Sequence, residues 1–303
     1  MTGGAGFIGS NIAIELARLG HTVTVLDDLS SGARENLDGQ SSIRFVEGSI
    51  LDEDAVAEAI DGAEVVFHLA ASVGNKRSID APLVDSEINV LGTLKVLEAA
   101  RRTGARKIVA SSSAGIYGEL VTLPIDEDHP IRPLTPYGGS KLCSENHCLA
   151  YANVHGLEAV CLRYFNVYGP HQRFDAYGNV IPIFVFKALA GEPITVFGDG
   201  EQTRDFVSVT DVVQANLKAG FAAGGTGAYN IGSATRISIN ALVEALRRIS
   251  GLDLEVRHGP ERPGDVRDSL ADISRAKQAF GFEPAKPLDE GLGEYIAWAR
   301  SIA

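Results

Sequence analysis

The chain has 303 residues, 45% hydrophobic and 22% charged, enough to bury a large core as one domain or two closely packed lobes. A formal net charge of -12 argues against a nucleic-acid or anionic-membrane surface, while leaving room for a local basic pocket that holds phosphates. No signal peptide or apolar run of membrane-spanning length is read, and Cys143, Cys148 and Cys161 lack zinc-type spacing, so the expectation is a cytoplasmic protein with reduced thiols.

In chain order, Gly3-Gly4-Ala5-Gly6-Phe7-Ile8-Gly9 precedes a helical pattern through Ile12, Ile14, Leu16 and Leu19, closed by Gly20. Glycines at 3, 6 and 9 suit a tight turn, close approach of backbone to a pyrophosphate, and close packing of a helix whose N-terminus faces the phosphates. A plain glycine turn would read the same. Residues 22–26, however, form a buried-strand pattern ending at Asp27, the acidic residue expected about 20 positions on to bond a ribose 2'-hydroxyl. Asp27 favours NAD over NADP, whose 2'-phosphate it would repel. The fingerprint should also follow a central strand, yet only Met1 and Thr2 precede Gly3, so the first strand is expected to be truncated.

Short buried strands are predicted at residues 43–46 and 64–68, with a helix over 52–60 between them, the alternation of parallel βαβ units. An amphipathic stretch from Pro82 carries Val84, Ile88, Leu91, Leu94 and Leu97 near helical spacing and stops at Gly104. Residues 107–110 make the next strand, running into Ser111-Ser112-Ser113. Strand ends in such sheets are where ligands sit, and loop capping would place hydroxyls there equally well. Tyr137-Gly138-Gly139-Ser140-Lys141 then sets a phenol and an ammonium one helical turn apart. A nearby cation favours the phenolate and makes a general base usable near neutral pH; the same spacing also describes a solvated helix face. The strand at 159–163 leads into Tyr164-Phe165-Asn166-Val167-Tyr168-Gly169-Pro170. Beyond residue 171 the order is less regular, with pieces at 194–204, after Thr210, at 229–231 and at 238–250. The expected architecture is α/β: a doubly wound parallel sheet over residues 1–170 that binds the nucleotide, and a smaller mixed α/β lobe over 171–303 that binds substrate, with chain crossings between them.

Taken together, Gly3-x-x-Gly6-x-x-Gly9, His68-Leu69-Ala70-Ala71, Asn89-Val90-x-Gly92-Thr93, Ser111-Ser112-Ser113, Tyr137-x-x-x-Lys141, Arg163-Tyr164-Phe165-Asn166 and Arg204-Asp205 resemble the extended short-chain dehydrogenase/reductase family, and within it the UDP-hexose 4-epimerases. The motifs span residues 3 to about 272 in the family's order. The resemblance implies a Rossmann sheet and a tightly held NAD lined by Gly3, Gly6, Phe7, Ile8, Gly9, Asp27, Ser49, Ile50, Leu69, Ala70, Ala71, Asn89, Tyr137 and Lys141. Ser49 departs from the aspartate usual at its position, which weakens the expected grip on adenine.

The resemblance further implies that Ser113 bonds the sugar 4-hydroxyl, Tyr137 acts as base, and Lys141 holds the nicotinamide ribose and tunes Tyr137, giving 4-epimerisation of a UDP-hexose through a 4-keto intermediate. Asn166, Asn179, Val180, Thr195, Phe197, Arg204, Arg262 and Asp265 match positions that hold uridine diphosphate; surface ion pairing would also account for Arg204 and Arg262. Ser269, where a bulky tyrosine restricts some epimerases to plain hexoses, implies room for an N-acetyl group. No metal is implied. The helices near residues 82–102 and 137–155 resemble a homodimer interface, with packing in the chain's own core as the alternative. UDP-glucuronate 4-epimerases, UDP-glucuronate decarboxylases and nucleotide-sugar 4,6-dehydratases share the oxidation at carbon 4. The dehydratases place an Asp-Glu pair, and the decarboxylases a Glu, where this chain has Ala114 and Gly115, so epimerisation is favoured. A noncatalytic NAD-binding sensor on the same fold would typically lose the tyrosine or lysine that this chain keeps.

Overall fold

The structure, a computed structural model, describes residues 1–175, 178–252, 254–261 and 266–303. Its centre is a parallel sheet in two runs. Strands Ile43–Glu47 and Val23–Asp27 pair in one run, and Val65–His68, Lys107–Ser113, Glu158–Tyr164 and Gly227–Ile231 lie side by side in the other. Thr2 joins them, bridging in parallel to Leu26 on one side and His68 on the other. Thr2 therefore stands at the central position of the sheet. Main-chain bonds from Leu26 to Met1 (2.8 Å), Gly3 to Leu26 (2.8 Å), Thr2 to Phe67 (3.0 Å) and Leu69 to Thr2 (3.0 Å) hold it. Strand order reverses at Thr2, so the crevice where such sheets bind ligands opens beside the glycine turn.

The strands are apolar on both faces because helices cover both. Val25, Phe67, Val109, Val160 and Leu162 pack with Ile12 and Leu16 of the Phe7–Arg18 helix and with Val212 and Val213 of the Val209–Phe221 helix. Leu26, Val66, Ile108, Ala159 and Cys161 pack on the other side with Val56, Val96, Leu97 and Cys148 from helices Glu53–Ile60, Thr93–Thr103 and Pro136–His155. A further cluster joins helices Val180–Leu189, Ile239–Ser250 and Leu288–Ile302 to strand Ile194–Phe197. The Gly227–Ile231 strand returns to the main sheet beside Glu158–Tyr164.

One local expectation is corrected. The stretch after Pro82 is not one continuous amphipathic helix: Glu87–Gly92 is a π turn between Pro82–Ser86 and Thr93–Thr103. The Asn89 carbonyl accepts side-chain bonds from Thr93 Oγ1 (2.5 Å) and Ser144 Oγ (2.6 Å), and such hydroxyl insertion loosens the ordinary helical ladder. Among the described residues no helix is long and apolar enough to cross a membrane.

Candidate active site

The glycine turn is built so that no side chain intrudes. Gly3 has φ +68°, and a Cβ there would lie 2.5 Å from the Ala70 nitrogen; one on Gly9 would lie 2.1 Å from the Gly3 oxygen. Gly6 caps the Phe7–Arg18 helix without a side-chain bond, leaving first-turn N–H groups to meet a phosphate. Asp27, at the end of its strand and 8% exposed, accepts the Ala5 N–H at 2.9 Å and the Leu29 N–H at 3.0 Å. Burial raises its pKa and those backbone donors oppose the rise. The carboxylate keeps acceptor capacity for a ribose hydroxyl, and Asp27 also fastens the glycine turn to the sheet, a role its spacing did not reveal.

The other expected cofactor positions follow the ends of neighbouring strands. Ser49 Oγ accepts the Leu51 N–H at 3.2 Å, Ile50 is buried, and Leu69, Ala70 and Ala71 follow Val65–His68. Asn89 fixes that loop: its amide accepts from Ser72 N–H (2.8 Å) and donates to the Ser72 carbonyl (3.0 Å). A side-chain-free turn, a helix N-terminus and a buried carboxylate form a set that fits a dinucleotide.

Thr135 caps the Pro136–His155 helix by accepting the Gly138 N–H at 3.2 Å, and Pro136 opens it, a favourable pairing at a helix start. A Cβ on Gly138 would lie 2.6 Å from the Gly115 oxygen, so the helix start rests directly on the turn after Ser113. Tyr137 and Ser113 face one another beside Gly115, and Lys141 Nζ donates to Ser111 Oγ at 3.1 Å. Of the three serines taken together at the strand end, the resemblance singles out only Ser113; strand alternation, which puts 111 and 113 on one face and 112 on the other, is the signal that sets Ser111 beside it. Ser112 instead donates to Glu145 at 2.6 Å.

The electrostatics differ from the expectation. Burial pushes Tyr137 up to about 12, the Ser113 bond opposing and the Asp85 charge adding to the rise. Burial likewise brings Lys141 down to about 8. In the protein alone, desolvation thus outweighs any acidification of the phenol by the lysine.

On the substrate side, Asn166 donates its side-chain amide to the Asp205 carbonyl at 3.1 Å, bringing the Arg204 segment to the C-terminal edge of the sheet. Arg204 donates to the Thr203 carbonyl at 2.8 Å. Asp205, fully buried, accepts from Ser233 N–H and Oγ (both 2.7 Å) and Ala271 N–H (3.0 Å), organising this region in a way the motif alone did not show. Asn179 precedes the Val180–Leu189 helix, Thr195 and Phe197 lie on Ile194–Phe197, and Ser269 is 7% exposed. Arg262 and Asp265 lie outside the described residues. Among the described residues no group of three or more metal-ligating side chains is found.

Residues 1–232 match the model of the NAD dependent epimerase/dehydratase family. The chain belongs to that family. It is 40% identical over 306 residues to a UDP-glucose 4-epimerase of Mycolicibacterium smegmatis, covering 99% of this chain and 98% of that protein. Among solved structures it resembles the Thermus thermophilus UDP-glucose 4-epimerase in complex with NAD, at 36% identity and TM-score 0.91, over 100% of this chain and 98% of that one. It also resembles the UDP-N-acetylglucosamine 4-epimerase of Methanobrevibacter ruminantium in complex with UDP-N-acetylmuramic acid, at 35% identity and TM-score 0.95, over 100% and 97%. The family's cofactor, NAD, is this protein's cofactor, and the glycine turn and Asp27 are the parts of this chain that suit it.

Proposed function

We propose that the chain is a UDP-hexose 4-epimerase. The observation that carries this reading is the turn beside the Tyr137–Lys141 pair. A Cβ on Gly115 would point at Ser113 Oγ (3.2 Å) and the Tyr137 ring (3.9 Å), so an acidic side chain at 115 would enter the reaction centre, and this chain has none. With no acid there to eject a hydroxyl, a 4-keto hexose is left to be reduced again rather than dehydrated.

Bound NAD would supply a hydride acceptor and donor for carbon 4 and, when oxidised, a positive ring that lowers the Tyr137 pKa. Tyr137 would take the 4-hydroxyl proton and return it. Ser113 would hold that oxygen, its Oγ being already aligned by the Gly115 N–H at 3.0 Å. Lys141 would hold the nicotinamide ribose. Residues 1–170 form the nucleotide-binding domain in this reading, and 171–303 mainly the substrate lobe, with Asn166, Asn179, Val180, Thr195, Phe197, Arg204, Arg262 and Asp265 around uridine diphosphate. Buried Cys148 and Cys161, both free thiols, suit a cytoplasmic enzyme.

Ser269 leaves the sugar pocket open to an N-acetyl group, so the enzyme would use both plain and N-acetylated UDP-hexoses. NMR of mixtures with UDP-glucose, UDP-N-acetylglucosamine, UDP-glucuronate and their 4-epimers tests this. Ser269→Tyr is expected to depress N-acetylhexosamine turnover about 5- to 150-fold more than hexose turnover, the equivalent of roughly 1 to 3 kcal/mol of overpacking. Equal losses on both substrates, or no turnover of N-acetylated sugars by the unaltered protein, would refute the role of Ser269.

The enzyme would act as a homodimer. Leu83 is 84% and Val154 69% exposed, with Ile79, Val84 and Leu91 also exposed on the helices between residues 75 and 155, an apolar surface suited to a two-fold partner. Light scattering at micromolar concentration should give twice the 32.1 kDa chain mass; a monomer mass would refute the dimer.

A further inference from the structure

Asp85 is 1% exposed and belongs to none of the groups assigned above. Its Oδ2 accepts the Ser140 hydroxyl at 2.5 Å and its Oδ1 accepts the Asn89 amide at 3.2 Å. Both partners are neutral donors, which suits an ionised, acceptor-only carboxylate, and the shorter distance is that of a hydroxyl on a charged oxygen. Asn89 Nδ2 also lies 3.0 Å from Ser140 Oγ, closing a triangle between the π turn and the helix of the catalytic pair. Ser140 immediately precedes Lys141, and its hydroxyl lies 3.1 Å from the Tyr137 carbonyl. The carboxylate is thus tied to the segment that carries both groups, touching neither.

The charged surroundings are few. The Pro136–His155 helix presents Tyr137, Lys141 and buried Glu145, the last bound to Arg163. His68, at the adjoining strand end, is held between Thr2 and Thr93 and kept neutral, burial bringing its pKa down to about 3. On the Asn75–Asp80 helix, Lys76 pairs with Asp80 and Arg77 with Asp175, and Glu87 is exposed. A shielded carboxylate acts over several ångströms, because little water screens it. Burial lowers the Lys141 pKa, and the thiols of Cys148 on its own helix and Cys161 on the neighbouring strand, then Asp85 and Glu145, act against that; burial raises Tyr137, and Asp85 adds to the rise.

We propose that Asp85 is a positioning residue acting through charge: its buried carboxylate, anchored on Ser140, keeps Lys141 in its ammonium form and sets the pH range over which the Tyr137–Lys141 pair works. The proposal rests on the epimerase reading for its kinetic consequence, not for its titration. Removing one negative charge lowers the pKa of every group it faces. In Asp85→Asn both limbs of the kcat profile should therefore move to lower pH, by roughly one unit; a loss of packing alone would lower the plateau and leave the limbs in place.

The direct test is NMR of the NAD-bound protein labelled with 13C at the lysine ε carbon, with the Lys141 resonance assigned by its loss in Lys141→Met. The Lys141 midpoint is expected about one unit lower in Asp85→Asn than in the unaltered protein; an unmoved midpoint in a folded variant would overturn the proposal. If Asp85→Asn fails to fold, 13C-carboxyl aspartate spectra of the unaltered protein decide, with Asp85 assigned through Asp85→Glu. An ionised Asp85 at neutral pH supports the proposal and a protonated one overturns it. Both titrations remain readable if no sugar turns over, so failure of the proposal and failure of the epimerase reading are distinguishable.

Discussion

Replacing Tyr137 with phenylalanine is expected to lower turnover on the order of 10² to 10⁴-fold while leaving fold and NAD binding intact. The change removes one oxygen and keeps the ring. The lost contact is with Ser113, whose Oγ still accepts the Gly115 N–H at 3.0 Å, so no acceptor is left unsatisfied. Lys141 keeps its bond to Ser111 at 3.1 Å, so the cofactor side of the pair is undisturbed. Kinetics beside circular dichroism and NAD titration check this. Near-normal turnover would mean that another group takes the proton.

A second large effect is expected in stability. Glu145 and Arg163 form a buried ion pair, with Nη2 to Oε1 at 2.6 Å and Nε to Oε2 at 3.1 Å. Arg163 also donates to Tyr117 Oη at 2.8 Å and to the Glu127 carbonyl at 3.2 Å, and Tyr117 donates to Asn230 at 2.6 Å. Burial works against the Arg163 charge, yet the hydrogen bond and charge of Glu145 hold its pKa above the ordinary value. Glu145→Ala would strand that guanidinium in the core and should cost about 3 to 5 kcal/mol. Because residues 137, 141 and 145 share one stripe of the helix, activity should fall as well. Chemical denaturation measures the loss, and a change below about 1 kcal/mol would show that water reaches Arg163 instead.

These two cases mark what a sequence can and cannot display. Tyr137, Lys141, the glycine turn and Asp27 were legible because their chemistry depends on short spacings along one element or one βα unit. Glu145 and Arg163 were not, since they sit on different elements and only the packing of the helix on the sheet brings them together. The same limit hid the two bridges of Thr2, the clamp of Asn89 on Ser72, and the π turn that side-chain hydroxyls from two helices create. The burial of the phenol was hidden for a related reason: spacing reveals a neighbouring charge, but burial, which raises Tyr137 in the protein alone, is a property of the folded site.

The central claim is that hydrogen leaves carbon 4 of the sugar and returns to the same carbon on the opposite face. Incubating the NAD-loaded protein with UDP-glucose deuterated at carbon 4, in ordinary water, tests it directly. The account predicts UDP-galactose that retains deuterium at carbon 4. Epimer carrying protium there, or a product other than the epimer, would contradict it.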